Sequence, residues 1–548
     1  MGHSRAVGAA AVAALALLAL GLWLRPDPGA GPLLWPRQVG GVKAAVATLA
    51  TLLLGLGWWW RRQGRPVRGK GVRDALLLLL GLLGALCWTN LLQWNYPGFG
   101  HPSDTFHYYL GAKYFPELGY TGLYECVAVA DAEAGLREPR PMRDLASNTL
   151  VTSGAVLADP ERCRARFTPE RWQAFRHDVD ALRSRVLPDR WARFQQDHGY
   201  NATPVWGVLG RALTSTGPAS DAQLFWLRAL DPLLLLCMVA GIVWAFGWRT
   251  ACVAVIFLGT NYAAPYGWTG GSILRQDWLV ASVLGLCALR REHHAAGGAL
   301  LALATLLRLF PGLIVAGVLL GALGRMLRSR SLRPTRPERD FVLGGVALVA
   351  VALPLSLWSG GADAWSGFAE NSRVHLSTPL ANHVGLKTVL SYDTSMRTEL
   401  ARDGAQEDPM VDWKRARSAR YAQYALLHGA LVLIFMGLVA WAGAGRPLWV
   451  GGVLGVALIP VGAELTAYYW SVLLALAFLR ERHPVLAPGV CALSALGWSV
   501  ASLWHWTDQI HVWLSVLTVA FCVFVVRLVA GGSPADQPEP VNSSSSSQ

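Results

Sequence analysis

The sequence predicts an all-α polytopic membrane protein of about 12–14 transmembrane helices, with a large first extracytoplasmic loop of amphipathic helices. Three observations predict it. Of 548 residues, 53% are hydrophobic and only 15% charged, where soluble domains carry roughly 25% charge. Several windows are apolar over about 20 residues, the length that crosses roughly 30 Å of hydrocarbon. The net charge of +13 is concentrated in short loops, which indicates orientation in a bilayer rather than nucleic-acid binding.

Residues 7–24 are long for a signal peptide, lack a small-residue cleavage site and are followed by a second apolar run at 41–60. They are expected to be an anchor helix. The loop "RRQGRPVRGKGVR", 61–73, holds six Arg or Lys and no acid, so it is assigned to the cytoplasm. The N-terminus is then cytoplasmic, helix 74–94 leads out, and 95–220 is extracytoplasmic. Spans follow at 224–246, 250–268 and 272–290. The basic segments 290–294 and 325–339 both belong inside, so the run 295–324 must cross an even number of times. Pro311-Gly312 breaks it into a hairpin. Counting about 24 Å from His293 puts Arg308 near the outer tip. Helix 341–358 leads to a second extracytoplasmic loop, 359–420. Spans at 421–444, 447–462, 465–480, 485–503 and 511–530 complete the set. The chain thus divides into 1–73 (two N-terminal helices and a basic loop), a membrane module at 74–530, and a serine-rich tail at 531–548 expected to be disordered.

Ionisable groups at membrane depth are costly and point to function. Asp104 follows helix 74–94 in "HPSDTFHYYLGAKYF", beside His107, Tyr108 and Tyr109. Arg275 and Asp277 open the helix in "GGSILRQDW", and Arg308 lies at the hairpin tip. His383 and Lys387 occupy the second outer loop, and Glu464, Tyr468 and Tyr469 begin a helix in "GAELTAYYW". All fall on the extracytoplasmic side, where they are expected to line one cavity. Each also has a simpler explanation: a helix cap for Asp104 or Glu464, snorkelling for Arg308, an interfacial belt for the tyrosines. His101, His107 and Asp104 are not at metal-ligand spacing, and no metal or other cofactor is expected. Within the first loop, 159–198 has amphipathic helical spacing. Cys126 and Cys163 there are either bridged or free thiols.

The segment "SDTFHYYLGAKYFPELGYTGLYE", 103–125, resembles the first outer loop of the polyprenol-phosphate-sugar-dependent glycosyltransferases of the GT-C superfamily. It is most similar to glycosyltransferase family 87, the bacterial mannosyltransferase-like membrane proteins. "YNATPVWGVL" (200–209), "GGALLALATLLRLFPGLIVAGVLLGAL" (297–323) and "ANHVGLKTVL" (381–390) are similar to later elements of that family, in the same order. The first departs from the pattern in having one proline, Pro204, and 126–198 is a large insertion.

The resemblance implies an inverting hexosyl- or pentosyltransferase of the bacterial inner membrane. Its donor would be a polyprenyl phosphate sugar and its acceptor an extracytoplasmic lipid or glycan hydroxyl. Asp104 would be the general base. Arg308, then Arg275, Lys387 and His383, would hold the donor phosphate. His107, Tyr108, Tyr109, Asp277, Glu464, Tyr468 and Tyr469 would contact sugar or acceptor. Two competing assignments are an O-antigen ligase or polymerase, and a lipid-linked sugar transporter or flippase; the latter calls for polar groups on both sides of the membrane. The orientation makes a prediction of its own. A membrane-impermeant maleimide should label Ser103→Cys from the extracytoplasmic side of intact cells; labelling only after the cytoplasmic face is opened would invert the topology.

Overall fold

The computed structural model describes residues 34–65, 69–95 and 98–532, so the expected helix 7–24 and the tail after 532 lie outside the described residues. The protein is mostly helical. Among the described residues eight helices are long and apolar enough to cross a membrane, consistent with a multi-pass membrane protein.

Helix α1 (Pro36–Arg62) starts on a proline, whose missing N–H costs nothing at a first turn, and ends on Arg61 and Arg62, where the helix dipole favours cations. Helix α2 (Lys70–Trp88) is the leucine-rich run. It stops short of the expected 94, and the chain turns left-handed at Asn90, Leu91, Leu92 and Trp94, with φ between 53° and 66°. Each such non-glycine residue costs roughly 1–2 kcal/mol.

The first loop is a folded cap. It runs through α3 (Pro102–Lys113), α4 (Phe115–Leu118) and α5 (Leu123–Glu133), then β1 (Pro141–Asp144) and β2 (Thr149–Thr152). Short helices α6 (Gly154–Ala158) and α7 (Glu161–Arg164) lead to α8 (Pro169–Arg183), α9 (Pro188–Phe194) and α10 (Pro204–Thr214). The sequence anticipates α8 and α9 but not the antiparallel β1–β2 hairpin, which pairs Pro141 with Thr152 and Asp144 with Thr149. The cap has a polar core of its own. Fully buried Asp131 pairs with Arg140 and Arg183, and accepts from Trp191 Nε1 at 2.8 Å. Cys126 and Cys163 are bridged, with Cα atoms 5.5 Å apart.

The bundle continues with α11 (Asp221–Phe246), α12 (Trp248–Thr260), α13 (Tyr266–Thr269), α14 (Asp277–Arg290), α15 (His294–Leu307), α16 (Gly312–Ser329) and α17 (Arg336–Gly360). Glycines allow α2 and α12 to touch: a Cβ on Gly84 would lie 2.8 Å from Ile256 Cα. The spans expected at 250–268 and 272–290 are shorter than anticipated. Residues 261–276 hold only the single turn α13, because Pro265 and Gly270-Gly271 interrupt the helix. Gly271 has φ 77°, and a Cβ there would lie 2.1 Å from the Phe99 carbonyl. Arg275 therefore precedes α14 instead of lying in its first turn. The break at Arg308–Pro311 is where the sequence places it.

The second loop carries α18 (Ala364–Ser377), β3 (His383–Val384) and α19 (Leu386–Leu390). Then come α20 (Val411–Gly443), which starts ten residues before the expected span, α21 (Leu448–Gly462) and β4 (Leu465–Thr466). A 3₁₀ helix covers Ala467–Glu481, and α22 (Leu486–Leu503) and α23 (Thr507–Gly531) close the chain. At about 2.0 Å per residue the 15-residue 3₁₀ helix extends roughly 30 Å, a bilayer's depth, where an α-helix of that length would reach about 22 Å. The cap and second loop share one end of the bundle. The opposite end is tied by Arg249–Asp74 and Arg325–Glu338.

The bridge across 37 residues should stabilise the cap by about 2–4 kcal/mol. Cys163→Ser is expected to make the β1–β2 hairpin and α6–α7 protease-sensitive while the helical bundle resists. Unchanged cleavage would show that the Asp131 network suffices.

Candidate functional site

Helix α3 begins with a cap made by His101, whose Nδ1 accepts the Asp104 N–H at 3.1 Å. Its Nε2 faces the Gly267 carbonyl at 3.0 Å. The cap role considered for Asp104 is thus filled by His101, and the Asp104 carboxylate turns to Arg275, with Oδ2 2.7 Å from Nε. Neither atom makes an aligned hydrogen bond, so charge holds the pair. Arg275 is buried. Its Nη1 donates to the Tyr108 hydroxyl and its Nη2 to the Tyr468 hydroxyl at 3.3 Å, while its guanidinium lies 4.5 Å from the Tyr108 ring centroid. Tyr108 in turn donates to Asn201 Oδ1 at 2.6 Å. Burial raises the Tyr108 phenol to about 12 against the opposing pull of Arg275 and Arg308, so it stays a neutral donor at physiological pH.

A second guanidinium, Arg308, lies 5.9 Å from the same ring. It is 7% exposed. Nη1 donates to the Leu307 carbonyl at 2.9 Å, but Nε and Nη2 are buried without a hydrogen bond of good geometry among the described residues. Asp277, whose Oδ2 is likewise buried and unbonded, and Tyr469 are its electrostatic neighbours. Tyr469 packs on Tyr468 at 4.5 Å and on Phe310 at 4.9 Å. Two guanidiniums, two carboxylates and three phenols thus lie together, with Nε and Nη2 of Arg308 and one oxygen each of Asp104 and Asp277 lacking well-aligned hydrogen bonds. Buried donors without acceptors are costly, and an oxyanion with several acceptor oxygens is the group that satisfies them.

Backbone contacts fix this arrangement. Asp231, fully buried in α11, accepts the N–H groups of Arg275 at 2.8 Å and Gln276 at 3.2 Å. Trp278 Nε1 and Trp206 Nε1 donate to the carbonyls of Arg275 and Leu274, each at 3.0 Å. Thr203 caps α10 by accepting the Trp206 N–H and donates to the Leu306 carbonyl at 2.6 Å, tying "YNATPVW" to the turn that carries Arg308. Asp231 and Asn201 are absent from the residues singled out in the sequence. The signal for Asp231 was present: an acid inside the apolar run "LRALDPLLLLCM".

The other candidates lie elsewhere. Glu464 is the centre of a second buried cluster. It meets Lys387 Nζ and Arg417 Nη2, each at 2.9 Å, and His383 Nδ1 at 3.5 Å, and accepts from Thr388 Oγ1 at 3.1 Å. The pairing of β3 with β4, His383 opposite Thr466, brings these groups together. Burial raises the Glu464 pKa, but the His383 hydrogen bond and the Arg417 and Lys387 charges outweigh it and hold the group well below the usual carboxylate range. His107 and Tyr109 pack inside the cap. His107 Nε2 is 2.6 Å from the Tyr124 hydroxyl, and burial lowers its pKa. Tyr109 donates to Gln223 Oε1 at 2.8 Å and accepts from Lys113 Nζ at 3.1 Å. The single cavity expected from the sequence is therefore divided. Asp104, Arg275, Asp277, Arg308, Tyr108, Tyr468 and Tyr469 form one group; Glu464, Lys387 and His383 form a neighbouring one.

No protein-family model matches the chain, and no curated protein or solved structure matches it.

Glu464 has a lowered folded pKa, so its stabilisation is fully present above its unfolded value of about 4.3 and is lost as pH falls through the folded one. Glu464→Gln leaves Lys387 and Arg417 facing each other without their anion. It should cost about 3–5 kcal/mol at pH 7 and flatten the acid side of a plot of melting temperature against pH. A variant that melts like the native protein at pH 7 would remove Glu464 as the link between the second loop and the bundle.

Proposed function

We propose that this protein is an integral membrane glycosyltransferase that moves a sugar from a polyprenyl phosphate to an extracytoplasmic hydroxyl with inversion. The observation that supports it best is the pair of buried guanidiniums on Tyr108, one with two N–H groups lacking well-aligned acceptors, next to a carboxylate that is 16% exposed at its side chain. The resemblance of 103–125, 200–209, 297–323 and 381–390 to glycosyltransferase family 87 points the same way.

The donor phosphate would take Nε and Nη2 of Arg308 in competition with Tyr469 and compete for Arg275, which now faces Asp104. Asp104, released from that contact, would accept the proton of the acceptor hydroxyl. The acceptor oxygen bonds to the anomeric carbon, the bond from that carbon to the phosphate oxygen breaks, and its electron pair leaves on the polyprenyl phosphate. The neutral phenols of Tyr108 and Tyr468 would hydrogen-bond the sugar or the leaving phosphate. The guanidiniums would stabilise the charge that develops there. In this orientation the cap faces the extracytoplasmic side of the plasma membrane.

With purified protein and radiolabelled polyprenyl-phosphate mannose, glucose or arabinose, Asp104→Asn should lower transfer by about 10²–10⁴-fold while donor still binds. Arg308→Gln should weaken donor binding as well as turnover. Transfer unaffected by Asp104→Asn would reject the base; vectorial movement of the lipid-linked sugar without transfer would favour a transporter.

A further inference from the structure

Between α2, α11 and α12, toward the cap end, lies an open cleft. Its walls include Leu86, Trp88, Leu92, Pro232, Leu235 and Leu258, and are apolar except for Thr89. The left-handed turn at 90–94 folds Leu92 and Trp94 into this wall instead of carrying α2 past it. On α11 the wall residues Pro232, Leu235 and Val239 follow Arg228 at steps of four, seven and eleven, one stripe of a helix. Arg228 therefore stands about 6 Å beyond the cleft, toward the cap. Its Nε donates to Thr105 Oγ1 at 3.1 Å, and it packs over Gly100, where a Cβ would lie 2.5 Å from its Cζ. No carboxylate lies within ion-pair distance of it among the described residues. An apolar slot that ends at a cation bonded to a hydroxyl, with Asp221 acting on it only from beyond ion-pair distance, matches an anionic amphiphile in both chemistry and order along the membrane normal.

We infer that this cleft holds one chain of an anionic bilayer phospholipid, with its phosphate on Arg228, as a resident lipid that braces the turn carrying Asp104. Successive helical residues project about 100° apart, so a headgroup at Arg228 meets the Thr105 side of the turn, while Asp104 faces Arg275. The lipid is therefore a positioning group and not a reactant. Its chain supports Leu92 and Trp94, in the strained segment that leads to His101. Its phosphate bridges Arg228 to the Gly100–Thr105 segment. The bracing role rests on the transferase reading of Asp104; occupancy of the cleft does not.

The test uses full-length protein in phosphatidylcholine nanodiscs doped with a diazirine-chain phosphatidylglycerol or, separately, a diazirine-chain phosphatidylcholine, with labelled peptides mapped by mass spectrometry. Phosphatidylglycerol should label the α11 and α12 walls about fivefold more than phosphatidylcholine, the ratio expected from one interfacial arginine. Arg228→Gln should bring the two to parity. Leu235→Trp should abolish cleft labelling, with Val255→Phe from the facing wall as the alternative if the tryptophan variant does not fold. Equal labelling by both lipids in the native protein, or labelling that survives the filled cleft, would overturn the site. Displacement of the label by equimolar polyprenyl phosphate would assign the cleft to substrate instead, and would equally overturn it. Asp104→Asn should keep the labelling, so that failure of the transferase reading and failure of this one are read separately.

Discussion

Asp231 is a carboxylate buried within an apolar helix, and the geometry around Arg275 depends on how that carboxylate is satisfied. An unpaired charge there would be prohibitive. It is instead met by two backbone N–H groups, those of Arg275 and Gln276. Pro232 follows it, and a proline has no N–H to give the carbonyl four residues back, so α11 is loosened where the carboxylate must reach sideways. The result is that residues 274–277 are held in an irregular path, with two indoles on its carbonyls. Arg275 can then lie along Tyr108 and against Asp104, and α14 can start at Asp277. A backbone anchored in this way holds the guanidinium beside Tyr108.

Much of the fold was legible because its strongest signals are local. Apolar length located the long helices, and Pro311-Gly312 located the break at Arg308. The grouping of Asp104, Arg275, Arg308 and Tyr468 followed from counting crossings. The failures have physical causes. Asp104 and Tyr108 are four residues apart and share a helix face, whereas Thr105, Tyr109 and Lys113 share another. Proximity in sequence grouped Tyr109 with Tyr108, whereas the structure sets Tyr109 against Gln223 and Lys113. Asp231 escaped because one acid hardly changes the mean hydropathy of a 26-residue helix. The β1–β2 hairpin has four-residue strands, too short for an alternating pattern to stand out. The separation of Glu464 from Asp104 depends on the two-residue pairing of β3 with β4, a long-range contact with no local trace.

The two polar clusters differ in how completely they are satisfied. Around Glu464 both carboxylate oxygens have partners, and Arg417 also donates to Ser391, Thr388 and the Leu380 carbonyl. That is a structural joint, which fastens the second loop to the bundle. Around Tyr108 the donors of Arg308 and one oxygen each of Asp104 and Asp277 lack aligned partners. Incomplete satisfaction at burial is destabilising by itself. Five such atoms, on Asp104, Arg275, Asp277 and Arg308, gather in this one cluster, whereas both oxygens of Glu464 have partners.

The 3₁₀ helix at Ala467–Glu481 makes the site unusually dependent on chain length. Its residues advance 120° each, so side chains three apart eclipse one another and form three ridges, one of which begins with Tyr468. Deleting a single residue near its middle would withdraw one end by about 2 Å and rotate it by a third of a turn. The tyrosines would then lose either their register with Arg275 or the packing below them. Evolution of this segment should therefore proceed by substitution, with gained or lost residues accepted only in the turns at its two ends.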